Sequence, residues 1–241
     1  MTNRGQEFNT KFDFYMPFGP GLGRFELPRH VVDALIHVTD QILADEDRES
    51  MGSNLAGQIM EESLIPANVL KKTGLEGVFE LLTKNYVEQF YNQNVYNTDT
   101  APVEAKIDVG PCWIVSQYEN EYNPAHFHTK CTLSSVLYLK IPNNERREIP
   151  NKPDLDGAIE WIHHSTVPGT LETGTFGCKP EVGVLYIWPS QLLHTVYPFQ
   201  GSGERRSVSF NATHTIVGDD IMEMMKEEMS SIEDKRKKQK S

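Results

Sequence analysis

This sequence is short of the features that usually assign a chain quickly. It has three cysteines, Cys112, Cys131 and Cys178, far apart and with no C-x-x-C, which excludes a disulfide framework and a zinc knuckle. No run of about eighteen apolar residues occurs, so no membrane span is expected. The opening MTNRGQEFNTKF lacks the apolar stretch of a signal peptide, and a cytoplasmic protein is expected. Basic residues are outnumbered, 23 against 34 acidic, and the formal charge of −11 argues against a nucleic-acid binder. The basic cluster KRKKQK at 235–240 reads as a solvated tail. There is no internal repeat and no low-complexity linker.

What is present suits one large domain with a sizeable core. In KFDFYMPF the alternation of Phe12, Phe14, Met16 and Phe18 predicts a half-buried strand, followed by a loop at GPGLG. Pro28 opens a helix with Val31, Leu35, Val38 and Ile42 on one face. A polar loop over ADEDRESMGSN precedes a second helix at about 75–92. From about residue 105 the texture changes to short β-rich runs: CWIVSQY, LSSVLYLKI, GAIEWIHH, GVLYIWP, LHTVYPF and RRSVSFNAT. Their spacing predicts an antiparallel sandwich or barrel, with no βαβ alternation. A last amphipathic helix after Asp219 carries Met222, Met225, Met229 and Ile232 on one side. The organisation expected is a single domain over 1–218, with strand and helices at 8–95 and a β core at 105–214, then a helix and tail at 219–241.

YNPAHFHTK at 122–130 holds His126 and His128 on alternate positions. Extended chain repeats every two residues, so both rings share a face, which suits either a metal ion or one packed and one solvated ring. His194 follows the Pro189-Ser190 turn between two apolar runs and is the best third ligand. His30 and His37 lie on the first helix, His163 and His164 are adjacent, and His214 is placed after the last strand; these fit less well. In GERRSVSFN, Arg205 and Ser207 share a strand face, and a guanidinium beside a hydroxyl is a seat for a carboxylate. Arg206 then points to the outer face. Trp113, Trp161 and Trp188 read as core.

AHFHTKCTLSSVLYLKIP, PEVGVLYIWPSQLLHTVYPF and RRSVSFN, in that order, resemble the Fe(II)/2-oxoglutarate-dependent oxygenase superfamily, and most closely its bacterial and phage 2OG-Fe(II) oxygenases related to prolyl hydroxylases. The resemblance covers roughly 110–214. It implies a mainly β fold with flanking helices, a double-stranded β-helix (jelly roll, cupin-like barrel). It implies Fe(II) held by His126, His128 and His194, with 2-oxoglutarate and O2 as co-substrates. Arg205 and Ser207 would take the distal carboxylate of 2-oxoglutarate. Tyr138 matches the strand tyrosine that shares that contact in the prolyl-hydroxylase branch, and Tyr118 and Ser134 are weaker candidates for the pocket wall. The implied activity is hydroxylation of an unactivated C–H in a peptide or small molecule, coupled to decarboxylation of 2-oxoglutarate to succinate. Most of the superfamily uses H-x-D or H-x-E, whereas here the second position is His128 and no Asp or Glu occurs between Ala125 and Lys140. A three-histidine site carries one less negative charge. The alternative is a metal-binding cupin or a dioxygenase that does not use 2-oxoglutarate. A cupin lacks a role for Arg205 and expects a glutamate where TKCTL stands.

Overall fold

The computed structural model describes residues 10–15, 19–92, 103–143, 150–151, 153–164 and 174–217, with the side chains of 13–15 excepted. The expected helix after Asp219, the basic tail, Met16 and Phe18 lie outside the described residues.

Two antiparallel sheets form the molecule. The strands are β1 (Lys11–Tyr15), β2 (Leu22–Glu26), β3 (Glu61–Ile65), β4 (Ala105–Gln117), β5 (Asn123–His126), β6 (Leu133–Lys140), β7 (Ile159–Ile162), β8 (Thr175–Cys178), β9 (Val184–Pro189), β10 (Leu193–Val196) and β11 (Arg205–Ile216). The larger sheet has the order β1-β2-β9-β6-β11-β4-β3 and the smaller β5-β10-β7-β8. Helices α1 (Arg29–Ala44), α2 (Ala67–Thr73) and α3 (Leu75–Phe90) precede β4. Pro28 and Pro66 stand just before α1 and α2, where a fixed φ and a missing N–H do no harm. Gly74, at φ 75°, turns the chain from α2 into α3 in the left-handed region that glycine enters freely.

The larger sheet is covered on both faces, and so its central strands are buried almost without alternation. On one face Ile114, Leu137, Val208 and Phe210 pack against Leu35 and Val38 of α1 and Phe79 and Leu82 of α3. On the other, Val136, Tyr138, Tyr186 and Trp188 meet Ile159, Trp161 and Val196 of the smaller sheet. Phe79 is fully buried and stacks on Phe210 at 4.7 Å between ring centroids. Phe79→Ala is expected to lower unfolding free energy by about 3–5 kcal/mol, read as a lower urea midpoint.

The jelly-roll expectation holds with one correction. The sheets are not closed into a barrel: among the described residues the edge strands β1, β3, β5 and β8 make no strand-to-strand ladder with the opposite sheet. The region expected as a loop at GPGLG also carries structure: β2 begins inside it at Leu22 and pairs with β9, and β8 forms the edge of the smaller sheet beside β7. The last strand runs to Ile216 and carries His214, which was placed beyond it.

Candidate active site

The inner faces of the two sheets enclose a cavity of about 230 Å³. Strand parity decides what lines it. On β11 the residues Arg205, Ser207, Ser209 and Asn211 face the cavity, while Arg206 turns to α1 and meets Thr39 and Asp40 as well as Glu204. On β4 the inward residues are Trp113, Val115 and, opposite Arg205, Gln117. The smaller sheet contributes His126, Ile159, His194 and Val196.

His126 and His194 are direct cross-strand partners on β5 and β10, with ring centroids 4.2 Å apart. His128 follows β5, held by its backbone N–H donating to Ser190 O at 2.9 Å, and its ring lies 5.3 Å from that of His126 and 5.2 Å from that of His194. Phe127 between them is exposed, as the alternation predicts. Each Nδ1 is already engaged: that of His126 with Pro124 O at 2.7 Å, that of His194 with Leu192 O at 3.0 Å, and that of His128 with Asn211 Oδ1 at 2.7 Å. Carbonyl oxygens only accept, so each Nδ1 carries the proton and each Nε2 is left with a free lone pair. One ring nitrogen of each histidine lies within 4.8 Å of the others. Burial lowers the pKa of all three, that of His194 to about 3, so the imidazoles are neutral, the state that ligates a cation. Among the described residues no Asp or Glu joins this cluster.

Arg205 is 1% exposed. Its Nη1 donates to Gln117 Oε1 at 2.9 Å, and its guanidinium carbon sits 4.9 Å from the centre of the Tyr138 ring. Nε and Nη2 have no partner, and neither does the buried Tyr138 hydroxyl. Gln117 is fixed in turn by donating to the backbone oxygens of Glu121 and Tyr197. A fully buried guanidinium with two idle donors is costly unless an anion meets it. These residues therefore fit a carboxylate ligand.

The remaining candidates fall differently. Ser207 is buried opposite Tyr138 in the β11–β6 register and lines the cavity. Ser134 supports the histidine cluster instead: its hydroxyl donates to Asn211 Oδ1, which also accepts from His128. Tyr118 is a correction, since it is 49% exposed and lies past the end of β4, and the inward residue there is Gln117. Gln117 and Asn211 were missed as functional residues, although both share the parity of Trp113 and Arg205 on their strands.

Residues 111–211 match the model of the family described as "Putative 2OG-Fe(II) oxygenase". This segment is similar to a 2OG-Fe(II) oxygenase domain. The family takes Fe(II), 2-oxoglutarate and O2, and its members are oxygenases. No curated protein matches the sequence. Among solved structures the chain is similar to a prolyl-4-hydroxylase from Pseudomonas putida, at 17% identity and TM-score 0.50, over 79% of this chain and 91% of that one. It is also similar to the alpha-ketoglutarate-dependent carbocyclase SnoK of nogalamycin biosynthesis, at 11% identity and TM-score 0.51, over 80% of each chain. A third is a prolyl hydroxylase from Trichoplax adhaerens in complex with a hypoxia inducible factor peptide, at 10% identity and TM-score 0.50, over 84% of this chain and 83% of that one. At these identities the likeness establishes the oxygenase fold. No helix among the described residues is long and apolar enough to cross a membrane.

Proposed function

We propose that His126, His128 and His194 hold the Fe(II) of this oxygenase through Nε2, and that Arg205, steadied by Gln117 and Tyr138, holds the distal carboxylate of 2-oxoglutarate with Ser207 beside it. One observation carries the reading: three neutral imidazoles with their Nδ1 protons tied down share a cavity with a buried guanidinium that lacks an anion. When bound, the iron with 2-oxoglutarate and O2 would supply an oxidant strong enough for an unactivated C–H, one oxygen atom going to the product and the other to succinate as carbon dioxide leaves.

The chain's own residues do the rest. Pro124 O, Leu192 O and Asn211 Oδ1 orient the rings and fix their tautomers, so no proton must leave an imidazole before a metal enters. Gln117 presents the guanidinium in one orientation and Tyr138 packs against its face. Trp113 and Trp188, both buried, wall off water around the reacting centre. Asn211→Ala leaves the His128 proton without its acceptor. Metal affinity is expected to fall about 10–100-fold, measured by competition with a chromophoric chelator.

For the substrate, a peptide is favoured. The cavity adjoins a second hollow of about 410 Å³ that shares Asn54, Leu55, Trp113, Thr129 and Asn211 with it, room for chain next to an inserted side chain. A cupin that does without 2-oxoglutarate has no use for the orphaned guanidinium. The test is anaerobic addition of Fe(II) and 2-oxoglutarate. A weak visible charge-transfer band is expected, and metal binding without that band would overturn the 2-oxoglutarate assignment. Mass spectrometry for a +16 product over a peptide panel then identifies the substrate.

A further inference from the structure

The cavity has one ionisable wall residue that neither the imidazoles nor the guanidinium uses. Glu62 lies on β3 directly opposite Val115, which in turn pairs with Ser207, so the carboxylate belongs to the inward row of the larger sheet. It is 3% exposed, and Oε2 has no hydrogen-bond partner. Among the described residues no cation pairs with it, whereas its neighbour Glu61 is bound by Arg48. Burial, and then the charge of Glu121, raise its pKa to about 7. Protein interiors seldom keep such a group without a partner that arrives from outside.

The surroundings are shaped for one. The chain at Gly57 packs close to the carboxylate: a Cβ there would stand 2.8 Å from Glu62 Oε1 and 2.6 Å from Asn123 Oδ1, so both side-chain ends would have to shift. Asn54 and Asn123 line the same end of the cavity and add amide oxygens to the carboxylate. Trp113 lines the same cavity, with its ring centroid 6.0 Å from that of His128. Trp113 is two residues along β4 from the partner of Glu62, so the two Cα atoms are about 7–8 Å apart diagonally. That separation suits an aliphatic stem lying on the indole with a charged head beyond it. A formal charge of −11 also favours the approach of basic partners.

We propose that Glu62 is the specificity residue for a substrate carrying an ammonium or guanidinium group on an aliphatic stem, whose C–H is thereby delivered to the imidazole cluster. The inference rests on the oxygenase reading and deepens it. It needs no variant for its first test. End-capped tripeptides centred on lysine and arginine are compared with norleucine and leucine counterparts, reading succinate formed per minute and peptide affinity by anaerobic calorimetry on the Fe(II)–2-oxoglutarate enzyme. At least about tenfold tighter binding of a basic peptide, with faster succinate release, is expected. Equal behaviour of basic and neutral peptides overturns the proposal. Glu62→Gln is nearly isosteric and is expected to remove that preference by about tenfold or more. The charge-transfer band is recorded on the same sample. Band present with the preference lost supports the assignment. Preference retained means that no carboxylate is needed at this position and overturns it, and loss of the band means that the carboxylate balances the metal centre and overturns it too. Absence of the band in the unmodified protein is a different failure, that of the oxygenase site.

Discussion

His194→Ala is expected to empty the metal site. His194 stands on β10 between the sheets, 3% exposed, with its ring against those of His126, His128 and Trp188. Alanine leaves two imidazoles, and two neutral ligands without a carboxylate hold Fe(II) too weakly to keep it through desalting. After desalting, metal content should fall from about one ion per chain to near none, and 2-oxoglutarate-dependent succinate formation by more than the roughly hundredfold typical of outer-shell losses. The fold should survive, because the ring enters no ion pair and is neutral at pH 7. Its pKa of about 3 means that its burial favours the folded state less only as pH falls below the ordinary histidine value of 6.5 toward 3. Unchanged far-ultraviolet circular dichroism with retained metal would remove the three-histidine assignment.

The second large effect is expected at Arg205. Arg205→Met keeps much of the volume and removes the charge, and it acts in opposite directions on the empty and loaded protein. Without ligand, the wild type holds a buried guanidinium with idle Nε and Nη2, so the variant should melt at the same temperature or higher. With 2-oxoglutarate present, the wild type should gain about 2.7 kcal/mol at a hundred times its Kd, and the variant should gain nothing. Loss of a buried charge-assisted contact of about 2–5 kcal/mol raises KM for 2-oxoglutarate at least roughly thirtyfold. The crossing of the two melting curves is the signature. A variant that is still stabilised by 2-oxoglutarate would mean that another residue takes the carboxylate.

The parts of this site that could be read in the sequence are those governed by the two-residue repeat. His126 with His128, Arg205 with Ser207, and the outward turn of Arg206 all follow from it, and the structure keeps each on the expected face. Tyr118 came from the resemblance and not from this rule: its parity is opposite to that of Trp113 and Gln117, β4 stops at Gln117, and the side chain is exposed. Strands β3 and β8 were not legible, because five residues of EESLI and four of TFGC have no periodicity of their own and are recruited by pairing with β4 and β7. Glu62 was hidden with β3. Asn211 sits beside the register shift between Phe210 and Ala212 and is tied to both His128 and Ser134 across strands, a link that appears only when β6 and β11 lie side by side.

β11 joins two trades in one ribbon, since its odd positions line the cavity while Arg206, Val208 and Phe210 fasten the helices. Adding or deleting a single codon between 205 and 210 would hand the helices a serine and push a phenylalanine among the imidazoles. Point changes can therefore be absorbed along this strand, whereas changes of length are tolerable only in the loops that connect it.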